Sequence, residues 1–95
     1  MIPIDVSATI PLREVIVNVR QGDKLLQDGK YDWREQASDN TLRAAVLLAP
    51  NVSGEVVVEI EGLTSDDQRT ASHSHRVVVT PGQVAPTVRV VLLPP

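Results

Sequence analysis

Two histidines separated by a single residue are the side chains in this sequence best suited to chemistry. His73 and His75 alternate with Ser72 and Ser74. On an extended chain, His73 and His75 share a face and lie roughly 6.5–7 Å apart. They could then bind a zinc ion together if a carboxylate joined them. No third ligand stands at a recognisable spacing, so a solvent-exposed pair of histidines is the favoured interpretation and we expect no metal site.

The serines in this segment do not predict a hydrolytic site. Neighbouring residues on a strand point to opposite faces, which separates Ser72 or Ser74 from an adjacent imidazole. A nucleophilic serine also needs a strained turn that presents it, and none is indicated here. The absence of cysteine removes thiolate chemistry as well. We therefore expect a protein that is not an enzyme and uses no cofactor.

The acidic residues form no recognisable calcium motif. Asp66 and Asp67 are adjacent, and Glu55, Glu59 and Glu61 form a row. The Asp-x-Asp-x-Asp-Gly loop of a calcium site is missing. The glutamate row is typical of a solvated strand face.

Tyr31 and Trp33 are the only aromatic residues. If exposed, they are candidate partner-binding residues, because tyrosine and tryptophan dominate binding hot spots. If buried, Trp33 is a large core residue of a strand, and this alternative is favoured. With so few aromatics and a net charge of −3, the chain lacks the stacking platforms and basic patches of a nucleic-acid surface.

The stretch from residue 54 to residue 63 is the clearest structural signal. Val56, Val58 and Ile60 alternate with Glu55, Glu59 and Glu61, and Val57 is the one apolar residue on the glutamate face. This period of two predicts a strand with one buried face. Other strands are predicted at residues 3–10, 13–20, 30–35, 41–48, 69–80 and 87–93, with a weaker extended segment at Leu25 and Leu26.

Two of these segments leave an alternative. Residues 41–48 contain enough alanine and leucine for a helix capped by Asp39, but a length of about eight residues favours a strand. Asp28 and Gly29 predict either a tight hairpin turn or a bulge. About seven short strands predict one all-β domain over residues 1–95, an antiparallel β-sandwich of the immunoglobulin-like class.

The order of strands and turns at the two ends of the chain forms a pattern of its own. It consists of residues 6–11 and 15–19 at the beginning, and residues 54–62, 77–82 and 88–94 at the end. One strand, a short break and a second alternating strand open the domain. A strand, a polar hairpin, a V-x-T-x-G turn and a last strand ending in proline close it. This pattern resembles small bacterial lipoproteins of the YbaY/YscW type.

That family includes the pilotins, the secretin pilot proteins of type III secretion. The resemblance implies a periplasmic lipoprotein held at the outer membrane by a lipid on a cysteine upstream of residue 1. It also implies that the domain binds the C-terminal segment of a secretin subunit and pilots its targeting and assembly. Physically, this is capture of a peptide on a sheet edge or in an apolar groove.

The start of the chain agrees with this expectation. Met1 is followed at once by strand-like residues, which predicts an artificial start, and we expect a monomer. The alternative is a structural or adhesive immunoglobulin-like module of a larger bacterial surface protein.

Overall fold

Eight β-strands and one helical turn account for the regular structure of this chain. The computed structural model describes all residues, 1–95. The elements are β1 (Ile2–Ala8), β2 (Leu12–Gln21), β3 (Lys24–Asp32), α1 (Trp33–Gln36), β4 (Ala37–Ser38), β5 (Thr41–Val46), β6 (Gly54–Thr64), β7 (His73–Val79) and β8 (Val88–Leu92). No helix has the length and hydropathy needed to cross a bilayer.

The strands form two four-stranded sheets that pack face to face. One has the order β4-β5-β1-β8 and the other β3-β2-β6-β7. All neighbouring strands are antiparallel except β1 and β8, which are parallel. The predicted all-β sandwich is therefore confirmed. Because β1 and β8 run in the same direction, the first and last residues lie at opposite ends of the molecule, whose longest dimension is 38 Å.

The core lies between the two sheets and follows the alternation of the sequence. In β6, Val56, Val58 and Ile60 are at most 1% exposed, while the glutamates point away from the core. Eighteen buried aliphatic side chains from six strands form one cluster. Burial of branched aliphatics contributes about 1.5–3 kcal/mol per side chain, so this cluster is what holds the sheets together.

The predicted extended segment at residues 30–35 is wrong in its second half. Asp32 ends β3 and caps α1, because its Oδ1 accepts hydrogen bonds from the backbone N–H groups of Arg34 (2.9 Å) and Glu35 (3.2 Å). An N-cap of this kind satisfies donors that the first helical turn leaves unpaired. Trp33 therefore lies on a helical turn and not on a strand.

The turn or bulge predicted at Asp28 and Gly29 is also wrong. Both residues lie inside the continuous strand β3, where Gly29 pairs with Val17. The irregularity lies further back: Gln27 pairs with Val19 and Leu25 with Arg20, so residue 26 is the extra one. A bulge is marked by such a two-against-one pairing, and here the local composition gives no sign of it.

Two other predicted strands keep their type with different bounds. Residues 41–48 form a strand as preferred, ending at Val46. The strand predicted at residues 69–80 begins only at His73. Before it, Arg69 makes a single bridge to Leu63, and Thr70 turns inward to accept a hydrogen bond from the Gly62 N–H (2.9 Å) through Oγ1.

A two-residue turn at Asp39 and Asn40 joins β4 to β5. Both residues have positive φ (53° and 60°), as the hairpin turn of type I′ requires. We expect Asn40→Gly to raise the free energy of unfolding by about 0.5–1 kcal/mol, because glycine adopts this conformation without steric cost. Urea unfolding followed by Trp33 fluorescence measures the change. Asn40→Ala is the control and should be destabilising; a gain from alanine would contradict the proposed cause.

Candidate functional site

One side of the sandwich is closed and carries features that disfavour pairing with another chain. The crossover through α1 and β4 covers it, with α1 in contact with β2, β3 and β5. The edge strand β3 contains Lys24 and Lys30 and carries the extra residue Leu26. Edge lysines and bulges are the usual protection against strand addition.

The opposite side carries the less protected edge, strand β7. Its seven residues pair with β6 without a break in register, and they include no proline and no lysine. The neighbouring edge strand of the other sheet, β8, has only five residues and lies between Pro86 and Pro94. Because proline cannot donate to a ladder, β8 is the poorer template. The outer backbone edge of β7 is thus the place where a further strand could pair.

A groove of about 370 Å³ runs between β7 and the beginning of β8. Its lining residues are His75, Arg76, Val77, Val78, Pro86, Thr87, Val88 and Arg89. Val77 and Val88 are almost fully buried, whereas Val78 is 65% exposed. The groove therefore combines an apolar floor with a cationic rim, and no carboxylate lines it.

The two arginines at the rim are only weakly paired within the chain. Arg76 Nε lies 3.9 Å from Glu55 Oε1, and Arg89 Nε lies 3.7 Å from Asp5 Oδ2. Their side chains are 81% and 79% exposed. Exposed pairs of this kind contribute at most about 1 kcal/mol. Both guanidinium groups are therefore able to exchange these partners for the carboxylate of a ligand.

The histidines do not lie on a solvent-exposed face, which corrects the sequence interpretation. His73 and His75 share the inner face of β7 with the buried Val77 and Val79, and both are half-buried. They do lie on one face, as the spacing predicts. No group of three or more histidine, aspartate or glutamate side chains is placed to hold a metal ion. His75 instead contributes to the lining of the groove.

Tyr31 and Trp33, the candidate partner-binding residues, lie on the closed side and not at the groove. Both are half-buried and pack against the core. The Tyr31 ring lies over Gly29, 3.5 Å from where a Cβ on that glycine would be. Trp33 also borders a cavity of about 430 Å³ at one end of the sandwich, together with Arg34 and Asn40. Their surroundings fit a packing role, with part of Trp33 left accessible.

Sequence reasoning missed the residues that line the groove. One signal was available: Val77, Val78 and Val79 are consecutive, so on a strand one of them must face outward. An outward valine beside Arg76 on a strand without proline or lysine indicates an unprotected edge. The contribution of Arg89 had no signal, because it depends on β8 lying beside β7. Comparison of the chain with protein families, with curated proteins and with solved structures finds no match.

Proposed function

We propose that this domain is a non-enzymatic binding domain that captures an extended segment of a protein partner along β7. The observation that carries the proposal is the unprotected edge of β7 beside an apolar groove with a cationic rim. A strand added to such an edge gains main-chain hydrogen bonds, and the groove receives its alternate side chains. The chemistry required is recognition only, with no bond made or broken.

The partner we propose is the C-terminal segment of a secretin subunit. Support for this comes from the resemblance of the two chain ends to pilotins, and the groove supplies a surface of the required kind. In this proposal, the full-length protein is a periplasmic lipoprotein anchored in the outer membrane. It holds the secretin segment during outer-membrane targeting and releases the subunit into the assembling ring.

Titration with secretin C-terminal peptides tests this proposal. We expect binding in the micromolar range, with amide NMR shifts concentrated at residues 75–78 and 87–89, which line the groove. Trp33, the single tryptophan, reports on the closed side and should keep its emission unchanged. Absence of binding at high micromolar peptide concentration would exclude the secretin as the partner. A shift of Trp33 emission with unchanged chemical shifts of the β7 amides would indicate that the peptide binds at Tyr31 and Trp33 instead.

A second candidate function is a structural or adhesive module within a larger surface protein. The observation that favours it is the parallel pair of β1 and β8, which directs the two chain ends to opposite ends of the sandwich. Domains with this geometry join end to end without a reversal of the chain. A full-length gene with domains on both sides would favour this function, whereas a lipobox cysteine shortly before Ile2 would favour the pilot protein.

A further inference from the structure

We infer that the segment bound along β7 is one in which carboxylates alternate with aliphatic residues. This inference rests on the proposed capture of a strand by β7 and specifies what that strand must contain. The predicted composition depends only on the side chains of β7 and the groove, and therefore holds for any partner that binds there.

The two faces of β7 carry different side chains. Side chains on a strand alternate between faces, and a strand paired on either edge meets the same alternation. On the outer face β7 presents Ser74, Arg76 and Val78, which are exposed. On the inner face it presents His73, His75, Val77 and Val79. Over residues 76–79 an added strand therefore meets a cation on one face and valines on the other.

Strand β6 already pairs with one edge of β7. In β6, Val56 lies opposite Val77 and Val58 lies opposite His75 on the inner face. On the outer face, the Glu55 carboxylate lies 3.9 Å from Arg76. Opposite charges and packed aliphatic pairs are what stabilise neighbouring strands. On its outer face β6 presents Glu55, Glu59 and one valine, Val57, which lies directly opposite Arg76, while the Glu55 carboxylate reaches Arg76 diagonally. This composition, with carboxylates among the outward residues and aliphatics inward, is a template for what suits the free edge.

The charge at the groove is opposite in sign to the net charge of the chain. The chain carries a net charge of −3, yet the groove is lined by Arg76 and Arg89 and by no acidic residue. A cationic rim on an acidic protein attracts carboxylates and repels a basic segment. Both arginines are about four-fifths exposed, so their guanidinium groups reach a ligand without rearrangement of the strands.

Two synthetic peptides with blocked ends test the inference directly. The first copies residues 54–61 of this chain (GEVVVEIE), and the second replaces each glutamate by lysine (GKVVVKIK). Calorimetric titration should show binding of the acidic peptide that weakens as salt is added. The lysine peptide should bind at least about tenfold more weakly, because it meets like charges at the rim. Hydrogen exchange should show new protection of those amides of residues 75–78 that point away from β6 when the acidic peptide binds.

Charge-reversed variants test whether the preference for the acidic peptide depends on the groove arginines. Arg76→Glu combined with Arg89→Glu should lower the affinity for the acidic peptide by about tenfold or more, since two attractive contacts become repulsive. Lys24→Glu combined with Lys30→Glu is the matched control. Both lysines are exposed and lie on β3, at the opposite edge of the sheet from β7, so this variant also reverses two charges but leaves the groove unchanged. Its affinity should stay within about twofold of the unsubstituted chain, as expected for distant surface charges.

Several results would overturn the inference. Equal binding of both peptides, or equal losses in the groove and control variants, would show that the arginines do not select the ligand. Dimers of the peptide-free chain in sedimentation would mean that a second copy occupies the edge, if the β7 amides that point away from β6 are already protected. If secretin peptides bind at β7 with no effect of the arginine variants, the inference fails and the proposed function stands. If only the acidic peptide binds, the inference stands and the secretin fails.

Discussion

Replacing Leu92 by alanine is expected to lower the free energy of unfolding by about 2–5 kcal/mol, the usual range for a buried leucine. Leu92 is in the last strand of the chain and is fully buried. Its Cδ1 reaches across the core to within 2.8 Å of where a Cβ on Gly62 would be. The truncation therefore opens a cavity at the contact between the two sheets. Urea unfolding followed by Trp33 fluorescence measures the loss.

The next residue provides the matched control for this prediction. Leu93 is 61% exposed and lies just beyond the end of β8, so Leu93→Ala should change the free energy of unfolding by no more than about 0.5 kcal/mol. Similar losses at both positions would mean that the C-terminal strand does not pack as described. The comparison is sharp because both variants make the same chemical change one residue apart.

Gly62→Ala is expected to lower the free energy of unfolding by about 1–3 kcal/mol, the range for overpacking a filled core. Gly62 lies in β6. A Cβ there would approach Leu92 Cδ1 at 2.8 Å and Leu12 Cδ2 at 3.1 Å. Both leucines are themselves buried, so neither can move aside freely. The same unfolding measurement applies, with the Tm expected to fall as well.

Gly29→Ala is the control for Gly62→Ala. Gly29 is also a strand glycine, but a Cβ there meets only the Tyr31 ring, at ordinary contact distances of 3.5–3.7 Å. Alanine at this position should be neutral or stabilising, because glycine weakens a strand interior by about 0.5–1 kcal/mol. The double variant Gly62→Ala with Leu92→Ala should lose less than the sum of the single losses, since the new methyl group fills part of the cavity. Additive losses would contradict the contact.

The strands were predictable wherever one face is buried and the other is wet. In β6 the alternation of Val56, Val58 and Ile60 with glutamates determines which face is buried, because shifting the strand by one residue would bury the charges. The preference for a strand over a helix at residues 41–48 was correct for a related reason. A short segment between two turns has too few residues to stabilise an isolated helix.

The helical turn at Trp33 was missed although the sequence contains its signal. Asp32 followed three residues later by Glu35 is the pattern that marks the start of a helix. The alternation of Tyr31 and Trp33 with charged residues suggested a continued strand instead. The hydrogen bonds from the backbone N–H groups to Asp32 stabilise the helical turn more than further strand pairing would stabilise an extended segment. A half-buried segment at the sheet edge buries little additional surface when it extends the strand.

The orientation of the histidines could also have been predicted from the sequence. Counting back in twos from Val77 and Val79 leads to His75 and His73, so these side chains had to share the inner face. The groove itself was not predictable in the same way. It exists because β7 and β8, which belong to different sheets, are edge strands on the same side of the sandwich. No short sequence pattern indicates the order of strands in two sheets, so the groove could not be predicted.

The parallel pairing of β1 with β8 has a mechanical consequence. Five residue pairs, from Ile4 with Val88 to Ala8 with Leu92, connect the first strand to the last. Tension between the two chain ends would slide these strands along each other, so their evenly spaced hydrogen bonds would resist as a group. Peeling would instead break such bonds one after another. Stretched along its long axis, the domain would act as a stiff link whose rupture begins at this pair.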